Sequence, residues 1–265
     1  MTRAGLAARV RAVNHKPASD TAASALASTW ALLAATLREG WAREVGKAMA
    51  IVTTVPVPTL NGVWATCPNT PPEDIEAGLE TVAACRVPHC LEARPGGRAA
   101  AKTIAERRGL VAEPDIPLMA TVGGVEGPRP DGLVVRELEP AEASLHCEVA
   151  GPAFGAPPDL LARLITPAVL ALPEVRGYVG EVNGEAVVTA MSVTTEDAVG
   201  IFNVATAPAY RRQGYGAAAT ARALNDGLEA GASWGWLQST EAGHGVYATL
   251  GFTTLESWPC WVTAS

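Results

Sequence analysis

Apolar positions along the chain follow two rhythms. From Thr21 to Leu37 an Ala/Leu-rich run sets Trp30, Leu33 and Leu37 at near-helical spacing. With Ser19 or Asp20 as N-cap and Gly40 as stop, it predicts an amphipathic helix. Met49 to Val55 is β-branched and ends at Pro56 and Pro58. Asn61-Gly62 then reads as a two-residue turn before Val63-Trp64, so the segment is expected to be a β meander. Pro71-Pro72-Glu73 opens a helix to about Cys85, Cys90 to Ala93 is a short strand, and Arg98 to Arg108 is a second helix stopped by Gly109. Gly123-Gly124, Gly127-Pro128 and Pro130 read as a linker.

Beyond it, Leu133 to Leu138 reads as a strand and Leu160 to Leu172 as a helix. Arg176 to Val182 turns at Asn183-Gly184 into Ala186 to Val193, the strongest hairpin signal of the chain. Val199 to Thr206 is the next strand. A Gly-rich turn carries it into a helix from Ala217 to about Ala230, followed by strand Trp234 to Gln238, helix Gly243 to Leu250 and a strand region from Phe252 to Val262. Strands that pass into helices and back imply an α/β fold with a mixed, partly parallel sheet flanked by helices.

A weak internal repeat links the halves. Gly109-Leu110, Pro117 and Met119 match Gly251-Phe252, Pro259 and Trp261 at identical spacing, and Leu91-Glu92-Ala93 with Gly97 matches Leu237-Gln238-Ser239 with Gly243. Each half is therefore expected to contain a strand-helix-strand unit.

Composition narrows the function. Of 265 residues, 48% are apolar and 18% charged, enough for a packed core. The net charge of −7 argues against a protein that neutralises nucleic-acid phosphates. Residues 132–265 carry 6 basic against 14 acidic side chains, whereas 1–131 carry 14 against 13, so the acidity lies in the second half. Five scattered cysteines, Cys67, Cys85, Cys90, Cys147 and Cys260, read as reduced thiols of a cytoplasmic protein. Cys85, His89 and Cys90 lie close in sequence, but their spacing matches no zinc knuckle and no metal is expected. Arg3, Arg9, Arg11 and Lys16 precede the Ala/Leu run much as in a signal peptide, yet Asp20 heads the run and no cleavage signature follows. No stretch is apolar for the 18 residues a membrane span needs.

The chemistry concentrates between residues 204 and 252. Val204-Ala205-Thr206 leads through Ala207-Pro208 into Arg211-Arg212-Gln213-Gly214-Tyr215-Gly216-Ala217, a strand, a tight turn and a helix start. Glycines let backbone approach a ligand, and the free N–H groups of a helix N-terminus suit a diphosphate. Arg211 and Arg212 flank that turn. Gly214, Gly216 and Ala219 also satisfy the dinucleotide fingerprint in form, but the next strand ends in Trp, Leu and Gln where a ribose-binding acid is needed.

Arg211, Gly214 and Gly216 resemble the Arg/Gln-x-x-Gly-x-Gly/Ala pyrophosphate loop of the GNAT superfamily of acyl-CoA-dependent N-acyltransferases. Tyr247, Leu250, Gly251 and Phe252 stand where that family has a Tyr followed by Leu-Gly-Phe. The resemblance covers about 133–262. It implies that Val204, Ala205 and Thr206 pair with the pantetheine arm of acetyl-CoA, that the loop Arg211 to Ala217 holds the diphosphate, and that Tyr247 is the general acid for the departing thiolate. Ser239 stands where many members have an Asn, and with Thr240 it offers only a hydroxyl. No base can be singled out among Glu181, Glu185, Glu196, Asp197 and Glu241, and His244 reads as solvated.

Lined up on the repeat, the loop position of the first half is Ala65 to Thr70, without glycine or arginine, and the tyrosine position is Ala105. The first half thus resembles the degenerate N-terminal domain of tandem GNAT proteins. The expected organisation is 1–125 as a non-catalytic GNAT-like domain, 126–132 as linker and 133–265 as the catalytic domain. The expected activity is transfer of acetyl from acetyl-CoA to a primary amine of a small molecule by direct attack. A protein N-terminal or lysine acetyltransferase and a non-catalytic acyl-CoA sensor are the alternatives. No nucleic-acid or membrane partner is expected, and either a monomer or a homodimer fits.

Overall fold

The computed structural model describes residues 17–264; Arg3, Arg9, Arg11 and Lys16 lie outside them. In chain order the helices are α1 (Ser19–Thr36), α2 (Pro72–Ala83), α3 (Arg98–Arg107), α4 (Ala143–Phe154), the single turns α5 (Pro158–Leu161) and α6 (Pro167–Leu170), α7 (Tyr215–Glu229) and α8 (Glu241–Thr249). The strands are β1 (Trp41–Val45), β2 (Ala48–Val52), β3 (Asn61–Ala65), β4 (Cys90–Ala93), β5 (Leu110–Val122), β6 (Leu133–Glu137), β7 (Val175–Val182), β8 (Glu185–Thr195), β9 (Ala198–Thr206), β10 (Trp234–Gln238) and β11 (Thr253–Thr263). None of these helices is long and apolar enough to cross a membrane.

All eleven strands form one sheet in the order β1-β2-β3-β4-β11-β5-β10-β9-β8-β7-β6. Two pairs are parallel, β3 with β4 and β9 with β10, and the rest are antiparallel. The mixed sheet expected from the sequence is therefore mostly antiparallel. At its centre the halves exchange strands. β11, from the end of the chain, lies between β4 and β5 of the first half, and β5 lies between β11 and β10. Thirteen residues long, β5 pairs with β11 along most of its length and with β10 from Leu118 to Val122.

Alternation along the strands divides the core between the two faces. One face packs under α1 and α4 to α6, with Leu26, Trp30, Trp64, Cys147, Trp236 and Trp258 in one cluster. The other carries α2 and α3 over Val63, Leu91 and Trp261, and α7 over Val187, Val199 and Ile201. The cores of the two halves are thus continuous on the α1 face and separate on the other.

Several expectations are corrected. Asn61-Gly62 is not a hairpin turn but the start of β3. The Asn61 amide is buried and acts as a hub: its Oδ1 accepts from the Thr53 and Thr54 amides at 2.9 and 3.1 Å, and its Nδ2 donates to the Val55, Val57 and Pro88 carbonyls. Gly62 has φ 146, and a Cβ there would lie 2.1 Å from the Cys90 carbonyl, so glycine is required by the neighbouring strand. Leu160 to Leu172 is two separate turns, because Thr166 caps a new helix start at Pro167. Neither α4 nor β1 and β5 had a clear signal, since α4 contains Pro152 and β5 contains two prolines. Helix α1 has no side-chain cap; Asp20 instead pairs with Arg94, which also makes a bidentate pair with Glu256.

Candidate acyl-CoA site at the parting of two parallel strands

β9 and β10 pair in parallel only from Ala198–Trp234 to Gly200–Trp236 and then separate. The separation coincides with a bulge in β9: the register with β8 slips between Thr189 and Met191, and Asn203 sits at φ 49. One extra residue bends the bulged strand away and frees backbone groups from the ladder. Phe202, Asn203 and Val204 are partly exposed there, although they belong to a central strand. In the first half the equivalent pair stays joined to its end, from Gly62–Cys90 to Ala65–Ala93.

β9 runs through a short turn into the loop before α7. Gly214 caps α7 at φ 82, a conformation that costs a side-chain-bearing residue energy, and Arg212 has φ 66. The first N–H groups of the fifteen-residue α7 follow Gly214, where a Cβ would lie 3.3 Å from Pro128, and a Cβ at Gly216 would lie 3.3 Å from the Thr206 hydroxyl. This cradle fits an anionic diphosphate. Arg212 is exposed and has no partner among the described residues. Arg211 is engaged: its Nη2 donates to the Ala153 carbonyl at 2.7 Å and its Nε to the Thr206 carbonyl at 3.4 Å, tying the loop to the end of α4. Gln213 accepts from the Tyr215 hydroxyl at 3.2 Å; the Tyr215 side chain is buried, so only its backbone belongs to the cradle. Ala217 lies on the partly exposed first turn.

On the other strand, Ser239 is buried and its hydroxyl donates to the Thr240 carbonyl at 2.7 Å, leaving only lone pairs for a ligand. Thr240 caps α8, accepting from the Gly243 amide at 3.2 Å. On α8, Tyr247 packs edge-on against Phe252 with ring centroids 6.2 Å apart. Desolvation pushes its phenol up to about 12, and its hydroxyl has no partner among the described residues.

The acids weighed as bases are engaged or distant. Glu181 pairs with Arg136, Glu185 accepts from Tyr210 at 2.7 Å, and Asp197 accepts from the Trp234 indole at 3.3 Å. Glu196 and Asp197 lie in the β8–β9 turn, at the opposite end of β9 from the parting. Glu241 is exposed in the first turn of α8, and His244 bonds Thr254 at 3.0 Å.

Sequence reasoning missed a polar pair behind the parting. Glu92, buried on β4, accepts from Gln238 Nε2 at 2.9 Å, and Gln238 is the last residue of β10. Burial pushes the Glu92 carboxyl up to about 7 against the opposing pull of that amide and of the Trp64 indole. The signal was present in the repeat, which places Glu92 on Gln238, and in a lone acid within a strand that is otherwise apolar. Cys85, His89 and Cys90 do not converge: Cys85 is exposed and Cys90 buried. Cys90, Glu92 and Cys260 instead bring donor atoms within 4.8 Å of one another. The hydrogen bond with Cys260, then burial, raises Cys90, and burial raises Glu92, favouring protonated forms that do not ligate a cation.

Residues 173–254 match the family model of the acetyltransferase (GNAT) domain. Among solved structures, a GCN5-related N-acetyltransferase from Kribbella flavida aligns over 93% of this chain and 96% of its own, at 22% identity and TM-score 0.70. A GCN5-related N-acetyltransferase from Sphaerobacter thermophilus aligns over 82% and 76%, at 15% identity and TM-score 0.60. A conserved protein of unknown function from Staphylococcus epidermidis covers 83% and 91%, at 12% identity and TM-score 0.57. These likenesses extend through both halves and establish a GNAT-like fold. No curated protein matches the chain in sequence.

Proposed function

We propose that the protein is an acyl-CoA-dependent N-acyltransferase that moves acetyl to a primary amine of a small molecule. The observation that carries this reading is the parting of β9 from β10 beyond Gly200–Trp236, with the Gly214-capped N-terminus of α7 at the open end. Bound acetyl-CoA would supply a thioester carbonyl for attack and a thiolate to leave. The α7 cradle and Arg212 would hold the diphosphate, and the bulged backbone at Asn203 to Thr206 would pair with the amides of the pantetheine arm. Tyr247 keeps its proton throughout the physiological range, so at the sulfur it acts as a donor, hydrogen-bonding the thiolate as the C–S bond breaks and returning a proton to it. A phenol near 12 is a weaker acid than an ordinary thiol at ~8.5, so the hydrogen bond itself carries much of the stabilisation.

The first half has no second cradle in this reading. Its strands β3 and β4 stay paired, the loop Thr66 to Asn69 lacks glycine, and Ala105 is a buried alanine on α3. It serves as scaffold and contributes to the acceptor side through α1. Thiol release from acetyl-CoA with a panel of small amines, peptide N-termini and lysine peptides tests the proposal. Release with small amines supports it, release with peptides alone moves the substrate class, and CoA binding without turnover favours a sensor.

A further inference from the structure

Gln238 and Glu92 belong to different halves, occupy equivalent places in the repeat, and meet on the α1 face of the sheet. Gln238 Nε2 donates to Glu92 Oε2 at 2.9 Å, so the NH2 end of the amide is turned to Glu92. Gln238 Oε1 is then turned away from it, and it has no partner among the described residues. Gln238 is only half-buried and ends β10 two residues past its last pairing with β9, whereas Glu92 is 2% exposed and beyond reach of a ligand. Besides Gln238, the Trp64 indole on the neighbouring β3 is the other donor directed at the Glu92 carboxyl. Cys90 and Cys260 flank it as thiols, and Arg94 is already committed to Glu256 and Asp20.

We propose that Glu92 is a positioning residue: by holding Gln238 Nε2, it turns Gln238 Oε1 toward the opening between β9 and β10, where that oxygen accepts an N–H of the acceptor amine. This deepens the acyltransferase reading and rests on it. The first half thereby acts on acceptor recognition through one amide, without reaching the substrate itself. A neutral acceptor such as a carbonyl suits an amine that must lose its charge before attack, because a carboxylate in the same place would favour the ammonium form. Trp30, Phe202 and Trp236 form an aromatic group beside it, with Phe202 edge-on to both indoles at 5.9 and 5.3 Å.

The test is steady-state kinetics, read as thiol release with the best small amine, on Glu92→Gln, Gln238→Met and the double variant, with CoA affinity measured by calorimetry. Glu92→Gln leaves the Gln238 amide free to present either end and is expected to raise the amine KM about tenfold. Gln238→Met is expected to do the same, and both should keep CoA affinity within twofold of wild type. The double variant is expected to match Gln238→Met alone, because Glu92 acts through Gln238. Unchanged amine KM in both folded single variants, or losses that multiply in the double, overturn the inference alone. Absence of turnover by the wild type with every amine overturns the acyltransferase reading and the inference with it. If Glu92→Gln does not fold, Gln238→Met, at a half-buried position, decides by the same readout.

Discussion

Ile116 and Trp258 are register partners on β5 and β11, and the offset that carries Gly109 onto Gly251 also carries Ile116 onto Trp258. The repeat therefore meets itself at this pair, near the middle of the sheet. Around it each half gives its last strand to the other. A fragment from Leu133 to Ser265 lacks β4 and β5, so β11 loses both neighbours and β10 loses one. Expressed alone it should aggregate or give a disordered far-ultraviolet spectrum. A soluble, monomeric, folded fragment would contradict the role of the strand exchange.

Gly214→Asp should weaken CoA binding by at least about tenfold, since a side chain there presses on Pro128 at a residue with φ 82 and puts a negative charge beside the start of α7. Arg212→Ala should weaken it less, and its effect should fade at high salt. Titration calorimetry on the wild type should give one CoA per chain. Two sites would mean that the first half retains a cradle.

For Tyr247→Phe the expected fall in turnover is about 10- to 1,000-fold, with CoA affinity preserved. Because Phe keeps the packing against Phe252, thermal stability should change little. Wild-type turnover in this variant would reduce Tyr247 to a packing residue.

Two buried groups make opposite contributions to stability in acid. His146 is fully buried with neither ring nitrogen paired among the described residues, and desolvation lowers it from 6.5 to about 4. A base with a depressed folded value loses stability as pH falls from 6.5 toward 4, by about 3 kcal/mol in all. Glu92 is raised from 4.5 to about 7, so its folded form holds a proton the unfolded form has released, and stability declines by a similar amount as pH rises through that window. Between pH 5 and 6.5 the two nearly cancel. His146→Leu should therefore expose the Glu92 trend: urea midpoints should be higher at pH 5 than at pH 7.5, and that slope should vanish on adding Glu92→Gln.

Much of this was legible in the sequence because the signals were local. β4, β10 and the Asn183-Gly184 hairpin lie where the pattern placed them, with Asn183 and Gly184 both left-handed. The loop of Arg211 to Gly216 was found because glycine and arginine are needed there for backbone reasons. What escaped depended on distant partners. Asn61-Gly62 has the composition of a turn, yet the Thr53 and Pro88 backbones claim the Asn and the Cys90 carbonyl excludes a side chain at Gly62. Within the candidate site, the sequence placed Arg211 and Ser239 in contact with cofactor, whereas backbone carbonyls occupy much of their donor capacity. The Glu92–Gln238 bond spans 146 positions, and only the repeat hinted at it.

The exchanged strands also bear on how the chain reaches its native state. Cys90 pairs with Val262, so β4 waits for that neighbour until the whole second half has been made. Such a contact closes a very long loop before it is rewarded, which slows folding and leaves strand edges open meanwhile. β11 is then the wedge that completes the sheet from within. Deleting residues 253–263 would open it at the centre instead of trimming a margin, so β11 is among the least dispensable strands of the sheet.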